Sequence, residues 1–348
     1  MSLWSGFDPL IKEWFLERIG QPTDPQTQGW PQIRSGQDVL ISAPTGSGKT
    51  LAAFLHCLDG LVRQARTGDM PDAVQAVYVS PLKALSNDIQ KNLERPLAEI
   101  RELAERRGVD LAPIRTALRT GDTNAYKRQQ MLVRPPHILV TTPESLYILL
   151  TAKRSREILG SARTLIVDEI HAVADDKRGA HLALSVERLQ RLVEQQGGEL
   201  QRIGLSATVS PIEEVAQFLR PSSKTASVQI VQVGHSRPMK LAVETMDDEL
   251  GAVASQEMWG QVHDRLAELI QQNRTTLIFV NTRRLAERVT HALEERLGEA
   301  CVAAHHGSLA KQLRLDAEER LKRGELRAVV ATASLELGID IGTIDLVC

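Results

Sequence analysis

The sequence predicts an α/β fold of two successive units, each a parallel sheet flanked by helices. Three observations carry that expectation. Short apolar runs alternate with longer stretches of helical periodicity, the runs end in glycine or small hydroxyl turns, and a break rich in proline and serine parts the chain. A length of 348 residues fits two or three domains. The boundaries expected are 1–221 for the first unit, 222–238 for a linker and 239–348 for the second.

In order, Leu10, Ile11, Trp14, Phe15 and Ile19 fall at helical spacing, which predicts an amphipathic helix packed on the first unit. Residues 22–26 read as a turn. Val39, Leu40 and Ile41 form a buried strand, and Leu51, Phe54 and Leu55 open a helix. Residues 74–79 are a strand running into 80–85, and a helical pattern resumes through Ile89, Leu93, Leu97, Ile100 and Leu103. Pro96 interrupts it, which predicts a kink or two helices. The charges of 101–107 read as a solvated helix face. Strands at 114–119 and 138–140 end at Thr120-Gly121-Asp122 and Thr141-Thr142-Pro143. Another at 164–167 delivers Asp168-Glu169-Ile170-His171, a helix follows at 178–193, and a strand at 203–205 leads to Ser206-Ala207-Thr208. In the second unit, 241–246 reads as an edge strand, 262–270 as a helix and 275–280 as a strand feeding a helix around Leu285, Val289 and Leu293. A strand at 301–304 precedes His305-His306-Gly307-Ser308. A helix at 309–323 then leads to a strand at 328–331 and a hydroxyl-rich turn from Thr332 to Ser334.

The chemistry gathers around Ala43-Pro44-Thr45-Gly46-Ser47-Gly48-Lys49-Thr50, between a strand and a helix start. Gly46 and Gly48 let backbone N–H groups of this P-loop close around phosphates, and the helix terminus adds its positive end. Lys49 reaches the β- and γ-phosphates, and the Thr50 hydroxyl faces Mg²⁺. Ala43 stands where such loops begin with glycine, a tolerable exchange if φ there stays below zero. Asp168, carried to the same sheet edge, would hold Mg²⁺, and Glu169 would polarise the attacking water. Ser206 and Thr208 sit where a neighbouring strand end could touch Asp168 and His171 and sense the nucleotide. Gln26 offers an amide that fits an adenine edge, and its spacing fits a solvated turn residue equally well. The adjacent His305 and His306 face opposite ways in a strand, with no further ligand at metal spacing, so no structural metal is expected.

Composition narrows the partners. A formal net charge of −2 gives no global basic footprint, so a nucleic-acid site must be a local groove. Aromatics at 3% argue for contacts to phosphate and sugar over base stacking. Cys57, Cys301 and Cys348 form no CxxC and read as core thiols of a reducing cytoplasm. No run of 18 apolar residues is present, so the expectation is a soluble, cytoplasmic chain without membrane contact.

The order of these segments resembles a superfamily 2 helicase of the DEAD/DEAH-box kind, and most closely the large helicase-related family. The likeness implies two tandem RecA-like P-loop domains. Residues 43–50 match motif I of that family, 80–85 motif Ia, 141–146 motif Ib, 168–171 motif II, 206–208 motif III, 278–283 motif IV and 331–340 motif V. The phrases Thr-Gly-Asp-Thr, Thr-Thr-Pro-Glu-Ser-Leu-Tyr, Lys-Arg-Gly-Ala-His-Leu-Ala-Leu and Ser-Leu-Glu-Leu-Gly-Ile-Asp point to the same branch. The resemblance implies ATP and Mg²⁺ as cofactors and single-stranded DNA or RNA as partner. It also implies 3′ to 5′ movement, an adenine-reading Gln26, phosphate contacts from Thr142 and Thr332, a nucleic-acid contact at 305–308 that includes His306, and an approach of Asp340 to the ribose. Family members continue past Val347 into a Gln-x-x-Gly-Arg-x-Gly-Arg helix whose arginines reach the triphosphate, and these 348 residues do not include it. The second domain is therefore expected to be incomplete and marginal, and turnover by this chain to be feeble, since such arginines are worth roughly 10³ to 10⁵ in rate. Two other function classes stay open: a module that binds ATP and single strands without motor activity, and a P-loop ATPase that acts on protein.

Overall fold

Helix α1 (Pro9–Arg18) begins where Asp8 accepts the Leu10 N–H at 2.9 Å and Pro9 supplies a φ already suited to a helix. Its stripe of Leu10, Ile11, Trp14 and Phe15 is buried. Ile19, expected on that stripe, is 47% exposed because the helix ends at Arg18 and leaves it at the cap. Thr23-Asp24-Pro25 is not a turn between elements but the start of α2 (Asp24–Arg34), with Gln26 at the third helical position. In the computed structural model of the chain the described residues are 3–81, 90–174, 176–222, 227–234, 240–245, 255–298, 300–332 and 344–348.

Two compact units divide the chain, Met1–His235 and Ser236–Cys348. The first holds seven strands in the order β3-β4-β2-β5-β6-β1-β7, every pair parallel. They are β1 (Val39–Ser42), β2 (Ala76–Val79), β3 (Thr116–Arg119), β4 (Ile138–Thr141), β5 (Thr164–Val167), β6 (Gln201–Ser206) and β7 (Gln229–Gln232). Strict alternation along them sorts two cores. Val39, Ile41, Tyr78, Val140 and Ile166 pack under α1, α2, α3 (Lys49–Thr67) and the helix Arg95–Arg106. Leu40, Val77, Val79, Leu139, Leu165 and Val167 pack under the helices Pro143–Thr151, Lys177–Gln195 and Ile212–Leu219. A sheet covered on both faces requires this near-continuous apolar strand chemistry. The interruption expected at Pro96 is a single π-helical turn, Gln90–Glu94, handing over to a helix in which proline occupies the tolerant first turn. Besides α2, the helices Ala125–Val133, Pro143–Thr151, Lys153–Leu159 and Ile212–Leu219 and strand β7 are elements that periodicity did not reveal.

The second unit pairs β8 (Thr276–Phe279), β9 (Val302–His305), β10 (Ala328–Ala331) and β11 (Leu346–Val347) in the order β11-β8-β10-β9, again all parallel. Helices Gln256–Gln272 and Arg283–Leu297 cover one face, and Lys311–Lys322 the other. Residues 240–245 are not a strand. Leu241 and Val243 are 82% and 88% exposed, and neither pairs its backbone in a sheet among the described residues. Cys57 is buried as expected, whereas Cys301 is half-buried and Cys348 exposed, so only one of the three is a core thiol. No helix among the described residues is long and apolar enough to cross a membrane.

Candidate functional site

Because all strands of the first sheet run the same way, their carboxyl ends share one edge, and the order along it divides the candidate residues. β5, β6 and β1 are consecutive neighbours and carry Asp168, Ser206 and the P-loop. β3, β4 and β2 lie beside them and carry Thr120, Thr142 and Ser80. The edge thus has a triphosphate half and a second, hydroxyl-rich half.

In the P-loop, Gly46 and Gly48 sit at φ of +78° and +86°, where L side chains are strained. A β-carbon at Gly48 would also lie 2.7 Å from Gln26 Nε2. Ala43 meets the expected condition, since Glu169 is the one non-glycine residue with positive φ among the described residues. Its N–H donates to the Ser206 carbonyl at 3.1 Å, stitching the loop to β6. Thr45 and Gly46 are exposed, and α3 begins at Lys49, so the unpaired amides of its first turn face the loop. The Ser47 hydroxyl is buried without a hydrogen-bond partner among the described residues, an orphan that a phosphate oxygen would satisfy.

Lys49 is buried at 4% exposure, and Asp168 lies within its field. Thr50 Oγ1 donates to Asp168 Oδ2 at 3.3 Å, and Tyr78 donates its hydroxyl to the same oxygen. Tyr78 is held by stacking on Phe54 of α3, with ring centroids 4.8 Å apart. The Glu169 N–H donates to Asp168 Oδ1 at 2.8 Å. Burial pushes the Asp168 carboxyl above its ordinary value, against the pull of the Tyr78 hydroxyl and the Lys49 charge. A divalent cation would reverse that balance. A buried carboxylate and a hydroxyl sharing one point are the hard oxygen donors that Mg²⁺ takes, so the residues fit the ion. Glu169 itself is held at φ +47°, ψ +42°, a conformation that costs about 1–2 kcal/mol for a side chain of this type. Strain of this kind gathers at working sites.

His171 lies on the 3₁₀ turn Ile170–Ala172, its Nδ1 3.2 Å from both Ser206 Oγ and the Ala207 nitrogen. The Ala207 N–H must donate, which leaves the proton of the neutral ring on Nε2, 3.5 Å from Glu169 Oε2. Burial, then the Lys49 charge, hold the imidazole below its ordinary value. His171 and Ser206 therefore meet, whereas Thr208 is exposed beyond them. Gln26 is no solvated turn residue: it is 1% exposed, Oε1 accepting from Thr23 N at 2.9 Å and Nε2 donating to the Gly48 carbonyl at 3.3 Å.

On the other half of the edge, Thr142 caps the helix Pro143–Thr151, accepting from Ser145 N at 3.4 Å. In the second unit, His306 is 1% exposed with Nε2 3.1 Å from Glu287 Oε1, and Thr332 donates its backbone N–H to His305 O at 3.2 Å. His305 Nε2 is 3.0 Å from Glu318 Oε1. No group of three or more potential metal ligands from His, Cys, Asp and Glu occurs among the described residues. Asp340, most of the segment 331–340 and residues 82–85 lie outside the described residues. The sequence reading missed Tyr78. For Tyr78 the signal was a phenol inside the apolar run Val77-Tyr78-Val79, because a buried hydroxyl needs a partner.

Comparison with known proteins identifies the family and the fold. The family model of the DEAD/DEAH box helicase matches residues 23–217, and that of the helicase conserved C-terminal domain matches 261–348. The chain is 49% identical over 345 residues to the ATP-dependent helicase Lhr-Core protein 2 of Thermococcus barophilus. It is 50% identical over 345 residues to the ATP-dependent helicase Lhr-Core of Methanothermobacter thermautotrophicus. These alignments cover 98% and 97% of the chain but 39% of each relative, so the chain spans about two fifths of the curated relatives' length. Among solved structures, the Mycobacterium smegmatis helicase Lhr bound to ssDNA and AMP-PNP superposes with a TM-score of 0.80 at 45% identity, covering 100% of this chain and 44% of that one. The DEAD-box helicase Mss116 bound to ssRNA and UDP-BeF superposes at 0.75 with 19% identity, covering 99% and 67%, a likeness of fold alone.

Proposed function

This chain belongs to the DEAD/DEAH box helicase family, with its two RecA-like helicase domains, and from that premise we propose that it binds ATP at residues 43–50 and hydrolyses it in response to single-stranded nucleic acid. One observation carries the reading: Thr50 Oγ1 and Asp168 Oδ2 lie 3.3 Å apart across 118 residues of sequence, beside a buried lysine. The similar Lhr structure, which holds ssDNA and AMP-PNP, supports adenosine triphosphate and a DNA strand as the ligands.

In this reading the N–H groups of 46–50 and the Ser47 hydroxyl grip the β- and γ-phosphates, and Lys49 offsets the charge that develops between them. Mg²⁺, held through Thr50 and Asp168, would neutralise the phosphate oxygens. Glu169, fixed by its strained backbone, orients a water in line with the γ-phosphate and takes its proton. His171 and Ser206 register that change at β6. Gln26 props the loop through Gly48, and its amide would turn from that carbonyl to meet an adenine edge. Thr142 in the first unit and, in the second, His306 and Thr332 would each contact the strand, with movement 3′ to 5′, as the resemblance implies; His306, at 1% exposure, would first have to turn from Glu287.

Nucleotide binding tests the reading directly. A fluorescent ATP analogue with Mg²⁺ should bind the 348-residue chain, and Lys49→Ala should weaken it at least tenfold. Equal affinities for parent and variant would remove the P-loop assignment. For the strand, five phosphate contacts predict a log-log salt slope near −3.5, at roughly 0.7 per phosphate, and a flat response would favour an ATPase that acts on protein.

A further inference from the structure

One side chain bridges the two halves of the sheet edge. Arg178 lies in the first turn of the helix Lys177–Gln195, which follows β5 and the Asp168 turn. Its Nε donates to Glu144 Oε1 at 3.0 Å and its Nη2 to the Pro81 carbonyl at 3.2 Å. Glu144 is in the first turn of the helix capped by Thr142, after β4, and Pro81 follows the end of β2. In the sheet, β4, β2 and β5 are consecutive neighbours. A single guanidinium therefore fastens Pro81 past β2 and the first turn of the helix after β4 to the helix that follows β5.

The base of that helix is pressed onto the acidic turn. A β-carbon on Gly179 would sit 1.8 Å from the Val173 carbonyl oxygen, so helix and turn touch backbone to backbone. Asp176 accepts the Gly179 N–H at 2.8 Å and locks the same spot. Val173 ends the short turn that begins with Glu169 and carries His171. A displacement of Asp168 or Glu169 must therefore move Gly179, and Arg178 with it, because close backbone contact leaves no slack to absorb it.

We propose that Arg178 is a positioning residue that carries the nucleotide state from the Asp168 turn to Pro81 after β2 and to the Thr142-capped helix after β4, so that triphosphate binding resets the strand-gripping groups. The proposal rests on the nucleotide and strand assignments made above. The exposure of the pair points the same way. The side chains of Arg178 and Glu144 are 47% and 55% exposed, and an ion pair that open contributes little to folding, so its use lies elsewhere. Only arginine has a rigid fork that serves a carboxylate and a carbonyl at once; lysine keeps the charge and loses that geometry.

The test is a coupling measurement on parent, Arg178→Gln, Arg178→Lys and Glu144→Gln. The dissociation constant of a fluorescein-labelled oligo(dT) is measured with and without a saturating non-hydrolysable ATP analogue and Mg²⁺, together with the affinity for the analogue and the melting temperature. In the parent the analogue should shift strand affinity about fivefold or more, a normal size for coupled sites. In both Arg178 variants the shift should fall below about twofold while analogue affinity and melting temperature hold, and Glu144→Gln should fall between. Variants that keep the parental shift overturn the proposal, as does a parent that binds both ligands without any shift. A parent that fails to bind analogue or oligonucleotide removes the functional assignment, and the relay with it.

Discussion

His137 shows at the residue scale how the sheet fixes a protonation state. It is fully buried just before β4, its Nδ1 accepting the Arg115 N–H at 3.1 Å, and burial, then the Arg115 charge, push it down to about 4. Asp72 pulls the other way and Arg134 adds to the depression. The unfolded chain takes up a proton near pH 6.5 while the native state does not, so stability falls with pH between about 6.5 and about 4. At pH 5 the loss from this group amounts to about 2 kcal/mol. His137→Asn keeps an acceptor for Arg115 and removes the titration. Urea unfolding at pH 7 and pH 5 should show the variant losing about 2 kcal/mol less than the parent on acidification. The raised Asp168 carboxyl acts with the opposite sign, but equally in both proteins, and drops out of the difference. Equal losses would show that His137 titrates as it does in water. The sequence could not announce this residue, because a lone histidine before a strand has no pattern. Lys49, Asp168 and Glu169 were legible for the contrary reason: their chemistry requires a fixed spacing from a strand end.

Elements were legible where burial imposed a period and illegible where one residue type serves two structures. Thr23-Asp24-Pro25 is as good a turn as it is a helix start, since an N-cap and a proline at the second position suit both. What decides for α2 is tertiary. Trp30 is 1% exposed, donates its Nε1–H to the Ala52 carbonyl at 3.2 Å, and joins Trp4, Phe7 and Phe15 in a ring cluster with centroids 5.1 to 5.5 Å from it. The alternation of 241–246 misled in the opposite direction, because it promised a strand and the described residues 241–245 pair with no sheet edge among the described residues. The ring cluster holds α2 against α1, and the Trp30–Ala52 hydrogen bond ties α2 to α3, which begins at Lys49 of the P-loop. Trp30→Ala should therefore cost about 3–5 kcal/mol in equilibrium urea unfolding followed by circular dichroism. Trp30→Phe, which loses chiefly the hydrogen bond, should cost only about 1 kcal/mol. A loss below about 1 kcal/mol for the alanine variant would mean that α2 is held by its capping alone.

For the whole molecule the two units have separate cores, the sheet β3-β4-β2-β5-β6-β1-β7 with its two covered faces and the sheet β11-β8-β10-β9 with its own. Composition placed the break at 222–238, a stretch that holds β7 (Gln229–Gln232) of the first sheet, with Val228 and Val231 in the first unit's cores. Separate cores of this kind unfold as separate cooperative steps. Every described residue assigned to the triphosphate lies in Met1–His235. A ligand that binds only the folded form of one unit stabilises that unit by mass action, about 2.7 kcal/mol at a hundred times its dissociation constant. In a unit of some two hundred residues that corresponds to a rise of roughly 5–11 °C in its midpoint. Calorimetry with and without ATP analogue and Mg²⁺ should therefore show two transitions, of which one rises by that amount. Lys49→Ala should abolish the rise and leave both unliganded midpoints nearly in place. A single transition, or two that climb together, would overturn the assignment of the triphosphate to the first unit.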